Sequence, residues 1–193
     1  MDEPGLCYSR PVALDPFSPF QRAVFTSGRG FSYYAETPGL PLSLKCMSNG
    51  RAHYRFGRKE VAVDDGGYLI LNEGQPYSIK IASPTQVETF VLWFPSGWAE
   101  EVRQTLQKPA DKLLAGAPND QTGIVSFFER YTPHDAKISP KARALRVAFK
   151  SARPIENSWL EEKLRELLAA MVASQQSVKQ EIGELPMVRA STR

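Results

Sequence analysis

Between Ala23 and Phe94 the chain breaks into short apolar or alternating runs separated by turn formers. Leu42-Ser43-Leu44-Lys45-Cys46-Met47 alternates apolar with small or polar positions at period two, the spacing that turns one face of a strand to a core. Ala52 to Phe56 follows Asn49-Gly50, a tight-turn dipeptide, and Glu60 to Val63 follows the turn Gly57-Arg58-Lys59. Tyr68-Leu69-Ile70-Leu71 is continuously apolar and predicts a central strand, bounded by Asp64-Asp65-Gly66-Gly67 and Glu73-Gly74-Gln75-Pro76. Ala23-Val24-Phe25 and Phe31 to Tyr34 precede these runs, and Tyr77 to Ala82 and Thr85 to Phe94 follow them. Turn signals recur about every 8–12 residues, which predicts a sandwich or small barrel.

Past Pro95 the period changes. Trp98 to Leu106 has a helical pattern with Ser96 as its N-cap, and 107–123, with Pro109, Gly116, Pro118 and Gly123, reads as loop. Ile124 to Glu129 returns to strand chemistry. Ser139-Pro140 opens a helix over 140–152, and Arg153-Pro154 closes it. In the last helix Ser158 and Glu161 form a capping box. Leu160, Leu164, Leu167, Met171, Ser174 and Val178 then recur at spacings of four and three, an a/d seam. Glu161 and Arg165 stand one turn apart with opposite charge, and Gly183 and Pro186 end the helix. The seam suits packing within the chain or contact with a second copy. The expectation is that the two last helices pack together and present a face to another subunit, with Leu160, Leu164, Leu167, Met171 and Val178 at the contact. Residues 1–22, with Pro4, Pro11, Pro16 and Pro19, read as an extended arm.

A chain of 193 residues fits one domain with an appended element. The net charge of +3 is spread along the chain, unlike the concentrated basic face of a DNA-reading module. Cys7 and Cys46 have no CxxC spacing, which speaks against a zinc ribbon, a redox motif or a disulfide scaffold. The acidic start Met1-Asp2-Glu3-Pro4-Gly5 lacks the apolar core of a signal peptide. No run reaches the ~18 apolar residues of a membrane span. A cytoplasmic protein without a membrane partner is expected.

A metal-dependent barrel enzyme needs two or three histidines and a carboxylate converging on one ion, commonly with a His-x-His pair. His53 and His134 are the only histidines, and they lie in different elements. There is no Gly-x-Ser-x-Gly elbow. Gly28-Arg29-Gly30 precedes a strand and not a helix, so it lacks the geometry of a phosphate cradle. These features predict a non-catalytic domain with no catalytic residue, no metal and no cofactor. A binding role is better provided for. Tyr33, Tyr54, Tyr68, Tyr77 and Trp93 lie on or beside predicted strands, and a barrel of this size holds its own side chains or one small ligand. Arg51, His53 and Thr89 are polar positions that strand alternation can turn inward. The candidate ligand contacts are therefore Arg51, His53, Tyr68, Tyr77, Thr89 and Trp93.

The stretches Asn49 to Tyr54, Val61 to Leu71, Gln75-Pro76-Tyr77-Ser78 and Glu88 to Phe94 resemble, in order and rhythm, the effector domain of AraC/XylS-type transcriptional regulators. The tail, Leu185-Pro186 and Arg189 to Arg193, is similar to the segment that leads into their linker helix. The resemblance spans about residues 20–193. It implies an α+β fold, mainly β: a cupin-like β-barrel (double-stranded β-helix) followed by a C-terminal antiparallel helix pair. The implied layout is an arm at 1–22, an effector-binding barrel at 23–132 with a helix at 97–107, a helical dimerisation element at 133–184, and the start of a linker at 185–193. Members of the family sense a small organic molecule in the barrel, dimerise through the helices after it, and bind DNA through a separate C-terminal domain. No helix-turn-helix pattern can be placed in 1–193. The expectation is thus a homodimeric fragment of a longer regulator that reaches DNA only through a missing part. Two alternatives stand beside it. A stand-alone cupin-like binding protein or enzyme would show metal or turnover. An interaction domain with a self-filled barrel would dimerise without responding to a ligand.

Overall fold

The computed structural model describes residues 7–8, 12–13, 23–107, 123–151 and 153–183. Within them the strands are β1 (Cys7–Tyr8), β2 (Val12–Ala13), β3 (Ala23–Thr37), β4 (Ser43–Ser48), β5 (Ala52–Phe56), β6 (Lys59–Val63), β7 (Gly67–Leu71), β8 (Tyr77–Trp93) and β9 (Tyr131–Pro133). The helices are α1 (Trp98–Gln107), α2 (Ser139–Lys150) and α3 (Asn157–Gly183). The fold is α+β and mainly antiparallel β, with one sheet bent into a nearly closed barrel.

Two long strands bend that sheet. The four short strands expected around Phe25, Tyr33, Ile79 and Phe90 are the halves of β3 and β8, which pair with each other almost end to end. Phe25 to Gly30 pairs with Leu92 to Val87, and Ser32 to Thr37 pairs with Ala82 to Tyr77, with a register shift between Gly30 and Ser32. Pro84 sits in the unpaired stretch between the two ladders, where a missing N–H costs no hydrogen bond. β4 pairs with the second half of β8, and β5 with the first half. The Asn49-Gly50 turn, with φ of 61° and 151°, therefore passes the chain from one ladder to the other and closes no hairpin. A side chain at Gly50 would also press on Val87 Cγ2.

The outcome is one wall of β9-β7-β4-β8-β3, edged by β1 and β2, and an opposite wall of β6-β5-β8-β3. The described pieces of the predicted arm are these edge strands on β3. Residues 124–129, expected as strand, join no ladder, and the last strand falls at Tyr131–Pro133 against Gly67–Leu69. Gly67 permits this pairing, because a Cβ there would overlap the Thr132 carbonyl oxygen.

Alternation sorts two cores. Met47, Tyr54, Phe56, Leu69, Leu71 and Ile81 fill the space between the walls. Leu44, Tyr68, Ile70, Phe90 and Leu92 face outward from the first wall and meet the three helices. On α3 the buried stripe is Leu160, Leu164, Leu167, Leu168, Met171 and Val172. Six positions make a stripe wider than a two-position coiled-coil seam, as suits a helix lying on a globular core. Leu160, Leu164, Leu167 and Met171, expected at a dimer contact, thus face the chain's own core, and a second subunit would have to meet other residues. The Val178 side chain lies outside the described residues, as do the residues at 184–193 and most of the 107–123 loop.

Helix starts also differ from expectation. Ser96 donates its hydroxyl to Glu73 Oε1 and does not cap α1. α2 begins after Ile138 with Pro140 in its first turn, and Ser139 turns its hydroxyl aside. The Glu161–Arg165 pair forms at 2.9 Å, and Arg165 continues to Glu101 at 3.1 Å and over the Trp98 ring at 4.2 Å, tying α3 to α1. Among the described residues no helix is long and apolar enough to cross a membrane.

Candidate ligand-binding site

Lys45 shares the phase of Met47 on β4 and so points between the walls. It is 1% exposed. Its Nζ donates to Tyr77 Oη at 3.0 Å. It stands 4.4 Å from the Trp93 ring centre, 4.5 Å from that of Tyr77 and 5.7 Å from that of Tyr54. No carboxylate among the described residues pairs with it. Burial pulls its pKa down to about 7. The negative ring faces offset part of the cost of keeping a charge there. Trp93 is fixed by Nε1–H donation to Thr26 Oγ1 at 3.2 Å, and burial pushes the Tyr77 phenol upward.

A second feature lies on the other side of the same wall. Cys46, Tyr68 and Phe90 form a floor, Ala142, Arg143 and Arg146 of α2 form a roof, and a cavity of about 200 Å³ lies between. α2 is held to β8 by Glu88, whose nearly buried carboxylate meets Lys150 at 2.7 Å and Arg146 at 3.1 Å. Burial works to raise the Glu88 pKa, but these cations outweigh it and keep the carboxyl below its usual range. Arg146 also donates to Ser48 Oγ at 2.6 Å, while its buried Nε–H meets no acceptor among the described residues. Arg143, one turn earlier, is exposed and has no ion pair among the described residues.

At the cavity's end Tyr68 donates to Asp135 Oδ2 at 2.6 Å. The other Asp135 oxygen accepts the Lys137 and Ile138 N–H groups, each at 2.6 Å. Burial works to raise the Asp135 pKa, and these bonds overcome it. Burial, then Asp135, pushes the Tyr68 phenol upward. Ser139 Oγ lies 2.9 Å from His134 Nδ1 and accepts the Asp135 N–H at 3.1 Å. Asp135 is engaged by Tyr68 and the helix N–H groups, so Ser139, His134 and Asp135 are not wired as a nucleophile relay. Burial pushes the Cys46 thiol up to about 12, which disfavours the thiolate at neutral pH.

No family model matches the sequence, and no curated protein matches it. Solved structures with a similar fold include regulators and cupins. The AraC-like transcriptional activator CuxR aligns at 12% identity over 87% of this chain and 55% of that chain, with a TM-score of 0.52. ToxT from Vibrio cholerae aligns at 8% identity over 88% of this chain and 61% of that chain, with a TM-score of 0.47. A cupin superfamily protein from Desulfitobacterium hafniense aligns at 11% identity over 49% of this chain and 83% of that chain, with a TM-score of 0.35. The chain spans about half the length of CuxR. The CuxR match extends past the barrel into the helices.

The expected ligand contacts are dispersed among four places. Tyr77 and Trp93 join Lys45 between the walls. Thr89 is buried, but its hydroxyl is taken by the Gly28 N–H at 3.0 Å and the Gly28 carbonyl at 3.3 Å. Tyr68 lines the cavity under α2. Arg51 and His53, expected to turn inward, do not: Arg51 pairs with Asp64 at 3.1 Å on the surface. His53 occupies the outer phase of β5, 3.3 Å from Glu60. The expectation missed Lys45, Glu88 and Arg146. For Glu88 a signal was present, since it shares the phase of Phe90 and Leu92; for Lys45 there was none, because it alternates with Leu44 and Cys46 in what reads as the polar phase, and both phases of β4 hold buried residues. For Arg146 there was none, because an arginine on an amphipathic helix ordinarily faces solvent.

Proposed function

We propose that this chain is the sensing and self-association part of an AraC-type transcription regulator. It is non-catalytic and cytoplasmic, and it governs DNA binding by a helix-turn-helix domain outside these residues. The observation that carries the reading is the match to CuxR, which takes in the helices as well as the barrel and about half of that activator. The molecular layout supports it. α2 is fixed to the barrel wall by one ion-pair cluster beside a cavity, so a ligand entering there would act directly on a helix. α3 packs its apolar stripe on the core formed with the same wall.

The test is to fuse residues 1–193 to a DNA-binding unit that represses only when paired, and to read a reporter alongside light scattering of the purified chain. Repression with a dimer mass is the expected result. A monomer at micromolar concentration with an unrepressed reporter would overturn the proposal.

A further inference from the structure

We infer that the cavity beneath α2 binds a small organic anion, with its oxyanion on Arg143 and Arg146 and its apolar part on Phe90 and Ala142. That such a ligand is the effector rests on the regulator reading. That it binds does not.

The space lies between a helix and a sheet, open to solvent on the side of Arg143, and measures about 200 Å³, below the roughly 300–1,000 Å³ of pockets for drug-sized molecules, so the ligand is small. Its floor is aromatic, with Phe90 2% exposed. Its roof is cationic. Arg143 and Arg146 line the cavity together with one carboxylate, Asp65, and Glu88 is already shared among Lys150, Arg146 and, at 3.8 Å, Arg29. Among the described residues Arg146 keeps a buried Nε–H without an acceptor, and Arg143 makes no ion pair. A planar guanidinium pair beside an aromatic floor suits an oxyanion carried on an apolar body. Carboxylates and phosphate monoesters share that chemistry. Because Arg146 also holds Glu88, a bound anion draws on the contact that anchors α2 to β8. Binding and helix position are thereby linked.

The experiment is calorimetric titration of the whole chain with phenylacetate, phenyl phosphate and the neutral phenylacetamide. At least one anion is expected to bind saturably and the amide not to bind. Binding of phenylacetate alone assigns a carboxylate site, and of phenyl phosphate alone a phosphate site. Arg143→Gln should weaken the anion at least tenfold, and Arg143→Lys should restore part of the loss. Arg143 is exposed and makes no ion pair among the described residues, so its variants are expected to keep the fold, which circular dichroism checks. The inference is overturned if neither anion saturates, if the amide binds as well, or if Arg143→Gln changes nothing. A reporter fusion whose ligand response survives Arg143→Gln would remove the cavity and leave the sensing reading standing. Anion binding lost in Arg143→Gln, with a fusion that never represses, would do the reverse.

Discussion

Lys45→Met should make the protein more stable at neutral pH, and the gain should shrink in alkali. In the unfolded chain the amine holds its proton up to its ordinary value of 10.5, and in the folded chain only to about 7. Between those values unfolding takes up a proton, so lowering the pH through this window weakens the fold. Above 10.5 the amine is neutral in both states and carries no penalty. Below about 7 it is charged in both, and the penalty is constant. At about 1.4 kcal/mol per pH unit, the full penalty is roughly 5 kcal/mol; it is about 4 kcal/mol at pH 7 and about 1 kcal/mol at pH 10. Methionine fills similar volume without the charge. It gives up the hydrogen bond to Tyr77 and the ring contacts, together about 1–2 kcal/mol. The net gain is about 2–3 kcal/mol at pH 7 and close to zero or slightly negative at pH 10. Urea unfolding of both proteins at the two pH values measures it. A difference between them that does not change with pH, or a methionine protein less stable at pH 7, would refute the reasoning.

Glu88→Gln should cost about 1–2 kcal/mol, moderated because Lys150 is solvent-exposed. Since the folded carboxyl titrates below its usual range, its contribution is present above that range and lost as pH falls through the folded value. The gap between wild type and variant in urea melts should therefore close in acid. Leu164→Ala, at a fully buried site, should cost about 2–5 kcal/mol in the same melts without changing the mass of the remaining folded species. Asn72 accepts the Phe127 N–H at 2.8 Å and donates to the Phe127 carbonyl at 2.9 Å, so Asn72→Ala should speed hydrogen exchange at the Phe127 amide well beyond any change in β7.

Strand positions were legible from the turn formers between runs, from the strict alternation of Ala52 to Phe56 and from the continuously apolar run of β7, which is buried throughout. Continuity was not legible. Ser83-Pro84 and Gly30 look like turns, yet each lies within a strand that crosses from one wall to the other, and only the long-range pairing of β3 with β8 decides this. The α3 stripe was legible as apolar, but its partner was not. Leu168 and Val172, adjacent to the seam positions, carry the information that the buried face is broad. Site residues were least legible, because alternation separates two faces without saying which one is buried: His53 falls in the exposed phase of β5. Arg51 and His53, expected to turn inward, stand in solvent.

The same phase rule connects the two candidate features. Lys45 and Cys46 are consecutive on β4, so one faces the aromatic box between the walls and the other the cavity beneath α2. Across the ladder Lys45 is opposite Val91 and Cys46 opposite Phe90, and Phe90 is the cavity's floor. A shift of this strand pair moves both places together. A change of charge at Lys45 that shifts this pair would alter the packing on which the cavity floor rests, through one backbone step rather than a chain of side chains. Anion affinity in the cavity should accordingly differ between wild type and Lys45→Met at pH 7, where the amine is partly charged, and converge at pH 10, where it is neutral. Equal affinities at both pH values would mean that the wall is stiff and that the two features are independent.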